Sequence, residues 1–286
     1  MINEIVVISG KGGTGKTTLV ASMLAYIKGV VVADCDVDAP DLHILLKGIE
    51  LYHSGFSGLK RPVIKKDTCN DCGLCHRYCK FGAITEAIQL LSNKCEGCGL
   101  CAHVCPTDSI EMRDVEIGSI VHRRIERGDF VYGRLIPGEE TSGKLVSAVR
   151  KKAQTLATQK SVETLLIDGA PGIACNVIAS ITGAKQVVIV TEPTISGLHD
   201  LKRVYELVQR FHVKAHVVVN KSNLSDEGLD AIKQYCMEQG LSIALEIPFN
   251  EDIVKTISAL ELPPNRMPDF YRSIGFEGFM KQLNLL

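Results

Sequence analysis

A glycine-rich run that follows a short apolar stretch constrains the fold of this chain more than any other feature of its sequence. The apolar stretch is Ile5-Val6-Val7-Ile8, and residues 10–18 then fit the pattern G-x-x-x-x-G-K-[ST]. A strand, a glycine-rich loop and a helix in this order are typical of a parallel sheet whose first strand delivers a phosphate-binding loop. We therefore expect a phosphate site, and the alternative is a glycine-rich turn that merely connects a strand to a helix.

Further apolar runs predict the remainder of the sheet. They lie at residues 30–32, 165–167, 187–190 and 217–219, and they are continuous rather than alternating, as in strands that are covered on both faces. Most of the stretches between them have apolar residues at helical spacing. The sequence thus predicts an α/β fold with a mostly parallel sheet flanked by helices, as in P-loop NTPases.

The loop supplies most of the expected nucleotide-binding groups. Backbone N–H groups beside the glycines can turn toward phosphate oxygens, and the helix N-terminus adds a positive dipole. Lys16 is expected to neutralise the β- and γ-phosphates, and the Thr17 hydroxyl is expected to bind Mg²⁺. The candidate ATP-binding residues of the loop are Gly10, Lys11, Gly12, Gly13, Thr14, Gly15, Lys16, Thr17 and Thr18.

Acidic residues follow the second and third of these strands. Asp34 and Asp36 come after the run at 30–32, and Asp168 comes after the run at 165–167. Acids at the carboxyl ends of parallel strands lie where such sheets bind ligands, so they can hold Mg²⁺ and orient water. Capping of the next helix is an open alternative for Asp38 and Asp41.

The loop and the acidic segments together resemble the deviant Walker A ATPases, a family that includes MinD, ParA, Mrp-type carriers and the nitrogenase iron protein. Lys11 matches the signature lysine of that family, and the similarity covers residues 1–58 and 114–286. The resemblance implies an ATP-sandwich dimer, either of two copies of this chain or with a related ATPase. In that dimer Lys11 reaches the phosphates of the partner subunit.

The same resemblance implies roles for the acids. Asp36 would orient the attacking water, so that Lys11, Lys16 and Asp36 are the candidate catalytic residues. Asp168 would support Mg²⁺ through water, together with Thr17 as a ligand. These roles are expectations that come from the family and not from the spacing of the residues.

The segment Asn220-Lys221-Ser222-Asn223 indicates which nucleotide base the site accepts. It differs from the guanine motif N-K-x-D at its fourth position, where a carboxylate would pair with guanine N–H donors. Asn223 lacks that charge, so ATP is favoured and GTP remains an open alternative. By the family resemblance Asn220 is the expected adenine contact, and residues 248–250 border the adenine or form a plain strand-to-helix turn.

A duplicated cysteine pattern interrupts the α/β pattern. Of the 11 cysteines, eight lie in two copies of C-x₂-C-x₂-C-x₃-C that are offset by 26 residues. This spacing is that of bacterial ferredoxins with two [4Fe-4S] clusters, and it predicts a small inserted α+β ferredoxin domain at residues 59–113. Residues 54–58 are expected to be a flexible flank of the insert. The discontinuous ATPase domain would be 1–58 and 114–286.

In such ferredoxins the fourth cysteine of each repeat binds the cluster of the other repeat. One cluster is therefore expected on Cys69, Cys72, Cys75 and Cys105, and the second on Cys95, Cys98, Cys101 and Cys79. Zinc is the alternative metal. A zinc site of four thiolates in two pairs would leave the third and fourth cysteines of each repeat unexplained. Cys175 follows the third strand and is either a bridging ligand between subunits or an ordinary thiol.

These motifs support three hypotheses of function. The first is that nucleotide state is coupled to electron transfer through the two clusters toward a partner protein. The second is an ATP-dependent factor that assembles or carries an iron-sulfur or metal cofactor, and the third is a positioning ATPase like MinD or ParA. In the first two hypotheses the redox partner or client is unknown.

Charge and composition limit the kinds of partner and the location that we expect for this protein. The chain has 286 residues with 32 Lys and Arg against 33 Asp and Glu, so no net positive charge favours nucleic acid. No apolar run reaches the length of a membrane span, and the first residues lack the basic start of a signal peptide. We expect a cytoplasmic protein with no nucleic acid and no membrane among its partners.

Overall fold

The structure, a computed structural model, describes residues 2–139 and 142–286. The described strands form one sheet of nine in the order β3-β4-β5-β2-β6-β1-β7-β8-β9. Their bounds are β1 Asn3–Ser9, β2 Val30–Asp34, β3 Gly48–Ile64, β4 Ile110–Ile125, β5 Gly128–Leu135, β6 Thr164–Pro171, β7 Gln186–Thr191, β8 Lys214–Asn220 and β9 Ile243–Ile247.

Helices connect most of the parallel strands. Their bounds are α1 Lys16–Leu24, α2 Leu42–Leu45, α3 Leu74–Tyr78, α4 Leu100–His103, α5 Ser142–Gln159, α6 Cys175–Ile181, α7 Ile195–Arg210, α8 Asp226–Glu238, α9 Glu251–Ser258, α10 Pro263–Arg266, α11 Pro268–Ser273 and α12 Phe276–Gln282.

The prediction of a mostly parallel sheet flanked by helices is confirmed. Six of the eight pairs of neighbouring strands are parallel, and the two pairs that involve β4 are antiparallel. The five apolar runs of the sequence lie in β1, β2, β6, β7 and β8, where nearly every residue is buried. Continuous apolar sequence forms these strands because helices cover both of their faces.

The two faces of the sheet carry two hydrophobic layers. Helices α5, α6, α7 and α8 pack on one face through residues such as Val149, Val177 and Val204. Helix α1 and the C-terminal helices pack on the other through residues such as Met23 and Phe276. This arrangement places the carboxyl ends of β1, β2, β6, β7 and β8 along one edge of the sheet, where loops are free to form a site.

A long antiparallel hairpin carries the cysteine-rich segment. Strands β3 and β4 pair from Gly48 with Ile125 to Ile64 with Ile110, and residues 65–109 connect them. The expectation of a flexible flank at 54–58 is wrong, because these residues lie inside β3 and pair with β4. The register shifts between Phe56 and Ser57 and between Ser57 and Leu59, so Gly58 lies at an irregularity of the ladder rather than in a free loop.

Within the two described ranges, no helix is both long enough and apolar enough to cross a membrane.

Candidate nucleotide site and cysteine-rich segment

The loop between β1 and α1 has the conformation that its glycines allow. Gly13 and Gly15 have φ values of +78° and +96°, in the left-handed region that favours glycine. A Cβ atom at Gly10 would collide with Asp200, and one at Gly15 would collide with the Asn220 amide. In the described part of the chain no side chain caps the N-terminus of α1, so its N–H groups remain available to a ligand.

Lys16 lies at the base of this loop with its side chain 6% exposed. Its Nζ is 3.7 Å from Oδ2 of Asp36, which belongs to the segment after β2. Burial raises the pKa of Asp36, and the charge of Lys16 opposes that rise. The loop lysine and this acid, which lie twenty positions apart in the sequence, are thus neighbours in the fold.

The hydroxyl of Thr17 donates a hydrogen bond of 2.7 Å to Oδ2 of Asp168. Asp168 is buried, and its Oδ1 has no hydrogen-bond partner among the residues that the structure describes. Burial raises the pKa of Asp168 to about 6, against the opposing effect of Lys16. A buried carboxylate oxygen without a partner is costly, so this atom is suited to a cation or its bound water.

Asp34 has a different role from its neighbours. Its two carboxylate oxygens accept hydrogen bonds from the backbone N–H groups of Asp36 at 3.0 Å and Leu42 at 3.2 Å. Burial and the nearby Asp168 raise the pKa of Asp34 well above its usual range. Asp34 therefore holds the turn that carries Asp36. The spacing of the acids in the sequence did not distinguish these two roles.

An apolar cavity of about 380 Å³ opens beside the loop. Its lining includes Gly15 and Thr18 on the loop side, Pro248 and Phe249 on another side, and Tyr271 from the C-terminal helices. Tyr271 is buried, and its hydroxyl is 2.8 Å from the Ser22 hydroxyl. No pattern in the sequence pointed to Tyr271, because its position depends on how α11 packs against α1.

The two asparagines that follow β8 are engaged in different contacts. Asn220 Nδ2 donates to the Thr14 carbonyl at 2.8 Å and lines the cavity. Asn223 Oδ1 accepts from the Phe249 backbone N–H at 2.6 Å. Asn223 thus holds the β9–α9 turn in place, in addition to lacking the charge of a guanine-binding residue.

Lys11, the signature lysine, is held by residues of its own subunit. Its Nζ lies 2.6 Å from Glu192 Oε1 and 2.9 Å from the Ser196 hydroxyl. Lys221 Nζ lies 3.1 Å from Glu192 Oε2. Burial opposes the charged form of Glu192, and the two lysines outweigh it, so its pKa is lowered. The family resemblance extends over residues 191–194 but assigned no role to Glu192, although an acid directly after an apolar strand was an available signal.

The eight clustered cysteines lie around two separate cavities. Both sets take three cysteines from one repeat and the fourth from the other repeat. One cavity is lined by Cys69, Cys72, Cys75 and Cys105. The second is lined by Cys79, Cys95, Cys98 and Cys101.

The two repeats have matching backbone conformations. Asp71 and Gly97 are equivalent positions with φ of +51° and +65°, and Gly73 and Gly99 have φ of +73° and +76°. Each second glycine precedes a short helix, α3 or α4. Within the described ranges, however, no group of three or more His, Cys, Asp or Glu side chains is arranged around a single metal ion.

The remaining cysteines lie outside this segment. Cys35 and Cys236 are buried in the α/β core, and Cys175 is exposed at the first residue of α6. The residues on which a bridging role of Cys175 depends would belong to a second subunit, so that alternative remains a prediction.

The parallel sheet, the loop after β1 and the acids after β2 and β6 define a P-loop nucleotide-binding protein of the α/β class. A family model described as the CobQ/CobB/MinD/ParA nucleotide binding domain matches residues 5–263. The chain therefore belongs to this nucleotide-binding family, as its resemblance to MinD and ParA predicted.

One sequence relative and two solved structures resemble this chain over most of its length. An uncharacterized protein of Methanocaldococcus jannaschii, MJ0579, is 29% identical over 232 residues, which cover 78% of this chain and 81% of the relative. The cell division ATPase MinD of Pyrococcus furiosus is 16% identical with a TM-score of 0.58, covering 99% and 98% of the two chains. The MinD–Mg-ADP complex of Pyrococcus horikoshii has a TM-score of 0.57 at 16% identity, covering 99% and 95%. At such identities the structures show a common fold.

The hypothesis of electron transfer through the clusters toward a partner protein is wrong as the main function. The family model describes a nucleotide-binding domain across most of the chain, at residues 5–263. The physical reason is that cysteine spacing identifies thiol ligands and contains no information about where electrons would go. The nucleotide site is the feature that the comparisons support.

Proposed function

We propose that this chain is a Mg²⁺-dependent ATPase of the MinD/ParA kind, in which ATP binding joins two subunits and hydrolysis separates them. The observation that carries the proposal is the set of buried groups around the loop: Lys16, the Thr17–Asp168 hydrogen bond and the unpartnered Asp168 oxygen. These groups are costly to bury without a charged ligand, and MgATP supplies both the anion and the cation that they lack.

The triphosphate fits the loop through backbone and side-chain groups together. The N–H groups of residues 10–18 and the start of α1 favour negative charge, and Lys16 adds a buried positive charge. Thr17 and Asp168 would hold Mg²⁺, which neutralises charge on the phosphates. Asp36, 3.7 Å from Lys16, is our candidate for the group that orients water for hydrolysis.

The base fits the apolar cavity beside the loop. Val218, Ile247 and Phe249 offer apolar surface to a purine, and Asn220 offers an amide at the cavity wall. A guanine would need a carboxylate to accept from its N–H donors, and none is found among the described residues that line the cavity. We therefore propose ATP rather than GTP as the substrate.

The partner in the ATP-bound state would be a second copy of this chain or a related ATPase. Lys11 supports this step because its side chain is 35% exposed on the rim of the loop, unlike the buried Lys16. The amine of Lys11 is therefore accessible from outside the subunit, whereas Lys16 is buried in its own site.

We propose further that residues 59–113 are an inserted ferredoxin domain that holds two [4Fe-4S] clusters. Each cavity has four thiols in the crossed sets expected of a two-cluster ferredoxin. A cubane cluster takes one thiolate on each iron atom, so its ligands surround a volume and need not converge on one metal position. The Ala83 N–H lies 3.3 Å from Cys79 Sγ, a contact that stabilises a thiolate.

The experiment that tests the ATPase proposal measures mass and turnover together. With Mg²⁺ and a non-hydrolysable ATP analogue, light scattering on a sizing column should give about twice the 31.2 kDa mass of the chain. Asp36→Asn should still dimerise with the analogue but should lose most ATP turnover. If the chain stays monomeric at saturating analogue, both alone and with a related ATPase, the dimer proposal is overturned. If the unmodified chain shows no ATP turnover, the ATPase proposal is overturned.

A further inference from the structure

Glu192 joins three segments around the phosphate loop. It directly follows β7, and its two carboxylate oxygens contact different lysines: Lys11 from the loop at 2.6 Å, and Lys221 from the end of β8 at 3.1 Å. Ser196, at the start of α7, adds a contact of 2.9 Å to Lys11. Lys11 is thus held on two sides within its own subunit.

Burial makes this contact stronger than an ordinary surface ion pair. The Glu192 side chain is 11% exposed, against 35% for Lys11 and 30% for Lys221. An ion pair that is shielded from water on the acid side is screened less than a pair in solvent. Glu192 therefore restrains the lysine, although the amine retains access to solvent.

Hydrogen bonds hold the backbone around Glu192. The Glu192 carbonyl accepts from the Thr194 N–H at 2.8 Å, and the Thr194 hydroxyl accepts from the Gly197 N–H at 2.9 Å as the cap of α7. Thr191 adds a bond from its hydroxyl to the Gly197 carbonyl at 3.0 Å. With its backbone held in this turn, Glu192 stays with its own subunit, so Lys11 must leave Glu192 in order to reach another subunit.

We propose that Glu192 is a latch that keeps Lys11 in its own subunit until the ATP-bound dimer forms. The inference rests on the proposed role of Lys11 in that dimer and adds to it a regulatory residue. Lys221 remains paired with Glu192 when Lys11 departs, so the acid does not lose both of its partners at once. The latch opposes dimer formation in the free chain, and it recaptures Lys11 after the subunits separate.

The latch is tested first without any dimer. The nucleotide-free chain is treated with a limiting amount of an amine-reactive acylating reagent, and labelling at Lys11 is quantified by peptide mass spectrometry. In Glu192→Gln the rate at Lys11 should rise about two- to fivefold, as expected for loss of an ion pair. The control is Glu246→Gln, which breaks an exposed pair of 2.9 Å with Lys233. It should leave Lys11 unchanged.

The second measurement concerns assembly. With Mg²⁺ and the ATP analogue, Glu192→Gln should dimerise at a protein concentration about two- to fivefold lower than the unmodified chain. Unchanged labelling of Lys11 would overturn the latch whatever the chain does with nucleotide. Faster labelling with weaker or unchanged dimerisation would also overturn it, because Glu192 would then not oppose assembly. If neither protein dimerises, the dimer proposal fails and the latch fails with it, whereas a labelling failure alone leaves the dimer standing.

Discussion

The nucleotide site and the cysteine-rich segment differ in what holds them together. The loop of residues 10–15 stands between β1 and α1, both of which belong to a core with many fully buried residues on each face of the sheet. The cysteine-rich segment has a small cluster of buried side chains, formed by Cys75, Ile84, Ile88 and Ile110. One region has ample apolar burial, and the other has little.

This difference indicates how each region depends on its ligand. Apolar burial contributes about 25 cal/mol per Å², so the large core fixes the loop before any nucleotide arrives. Small domains with little core usually need metals or disulfides for stability. We therefore expect the nucleotide site to be preformed and the cysteine-rich segment to depend on its proposed clusters for its order.

Replacing the loop lysine should have the largest effect. Lys16→Ala removes the buried positive charge beside Asp36 and should weaken MgATP binding on the order of 100-fold, as for loss of a buried charge partner. Calorimetric titration measures the affinity, and iron content should not change. Lys28→Ala, at an exposed lysine beyond α1, is the matched control. Affinity in Lys16→Ala equal to that of the control would contradict the assigned site.

Replacing one cysteine from each cavity separates the two proposed clusters. Cys98→Ser and Cys72→Ser should each lower the iron content from about eight to about four atoms per chain, because each residue lines one cavity. Cys175→Ser, at an exposed thiol outside both cavities, should keep all of the iron. ATP affinity should be the same in all three variants. Equal iron content in all three after anaerobic reconstitution would contradict the cluster proposal.

Asp168→Asn should stabilise the free chain while weakening its binding of Mg²⁺. The pKa of Asp168 is raised from 3.8 to about 6, so the folded state binds this proton more tightly than the unfolded state. The contribution of this group to stability is therefore fully present below pH 3.8 and is lost as the pH rises through about 6. At pH 8 the variant should gain on the order of 1–3 kcal/mol in free energy of unfolding.

Urea unfolding of the nucleotide-free and metal-free chains at pH 8 and pH 5 measures this effect. The gain from Asp168→Asn should shrink at the lower pH, because the carboxyl group of the unmodified chain is then largely protonated. If the variant is less stable than the unmodified chain at pH 8, the charged Asp168 carboxylate does not destabilise the folded state.

The substitution in the guanine-motif position, Asn223→Asp, should have the smallest effect on nucleotide binding. Asn223→Asp restores the letters of the guanine motif, yet the side chain already accepts a hydrogen bond from the Phe249 N–H at 2.6 Å. An aspartate keeps that bond, so the preference for ATP over GTP should change by less than about threefold, within the range of one weak contact. Competition binding with both nucleotides measures the ratio, and a reversal of preference would mean that residue 223 reads the base.

Local sequence was sufficient for features that depend on neighbouring residues. The apolar runs and the loop pattern predicted β1, β2, β6, β7 and β8 and the course of the chain through Gly13 and Gly15, because burial and positive φ act within a few residues. The long hairpin was not predicted, since polar and glycine residues at 54–58 resemble a loop and acquire strand geometry by pairing with β4.

Contacts between distant segments were beyond the sequence analysis. The Lys11–Glu192 pair joins residues that are 181 positions apart in the chain, and Tyr271 reaches the base cavity through the packing of α11. The difference in role between Asp34 and Asp168 likewise depends on which backbone groups lie within reach. Such assignments require the fold, because the same residue types in the same order allow several partners.

Nucleotide binding to iron-free chain tests most directly whether the phosphate loop is preformed. Protein prepared with its iron removed by a chelator and then freed of chelator is titrated with Mg²⁺ and the ATP analogue in a calorimeter, beside iron-loaded protein. A preformed loop predicts one nucleotide per chain in both samples, with affinities that agree within about threefold, since the site uses no group of the cysteine-rich segment. Binding that is lost without iron and restored on reconstitution would contradict the account.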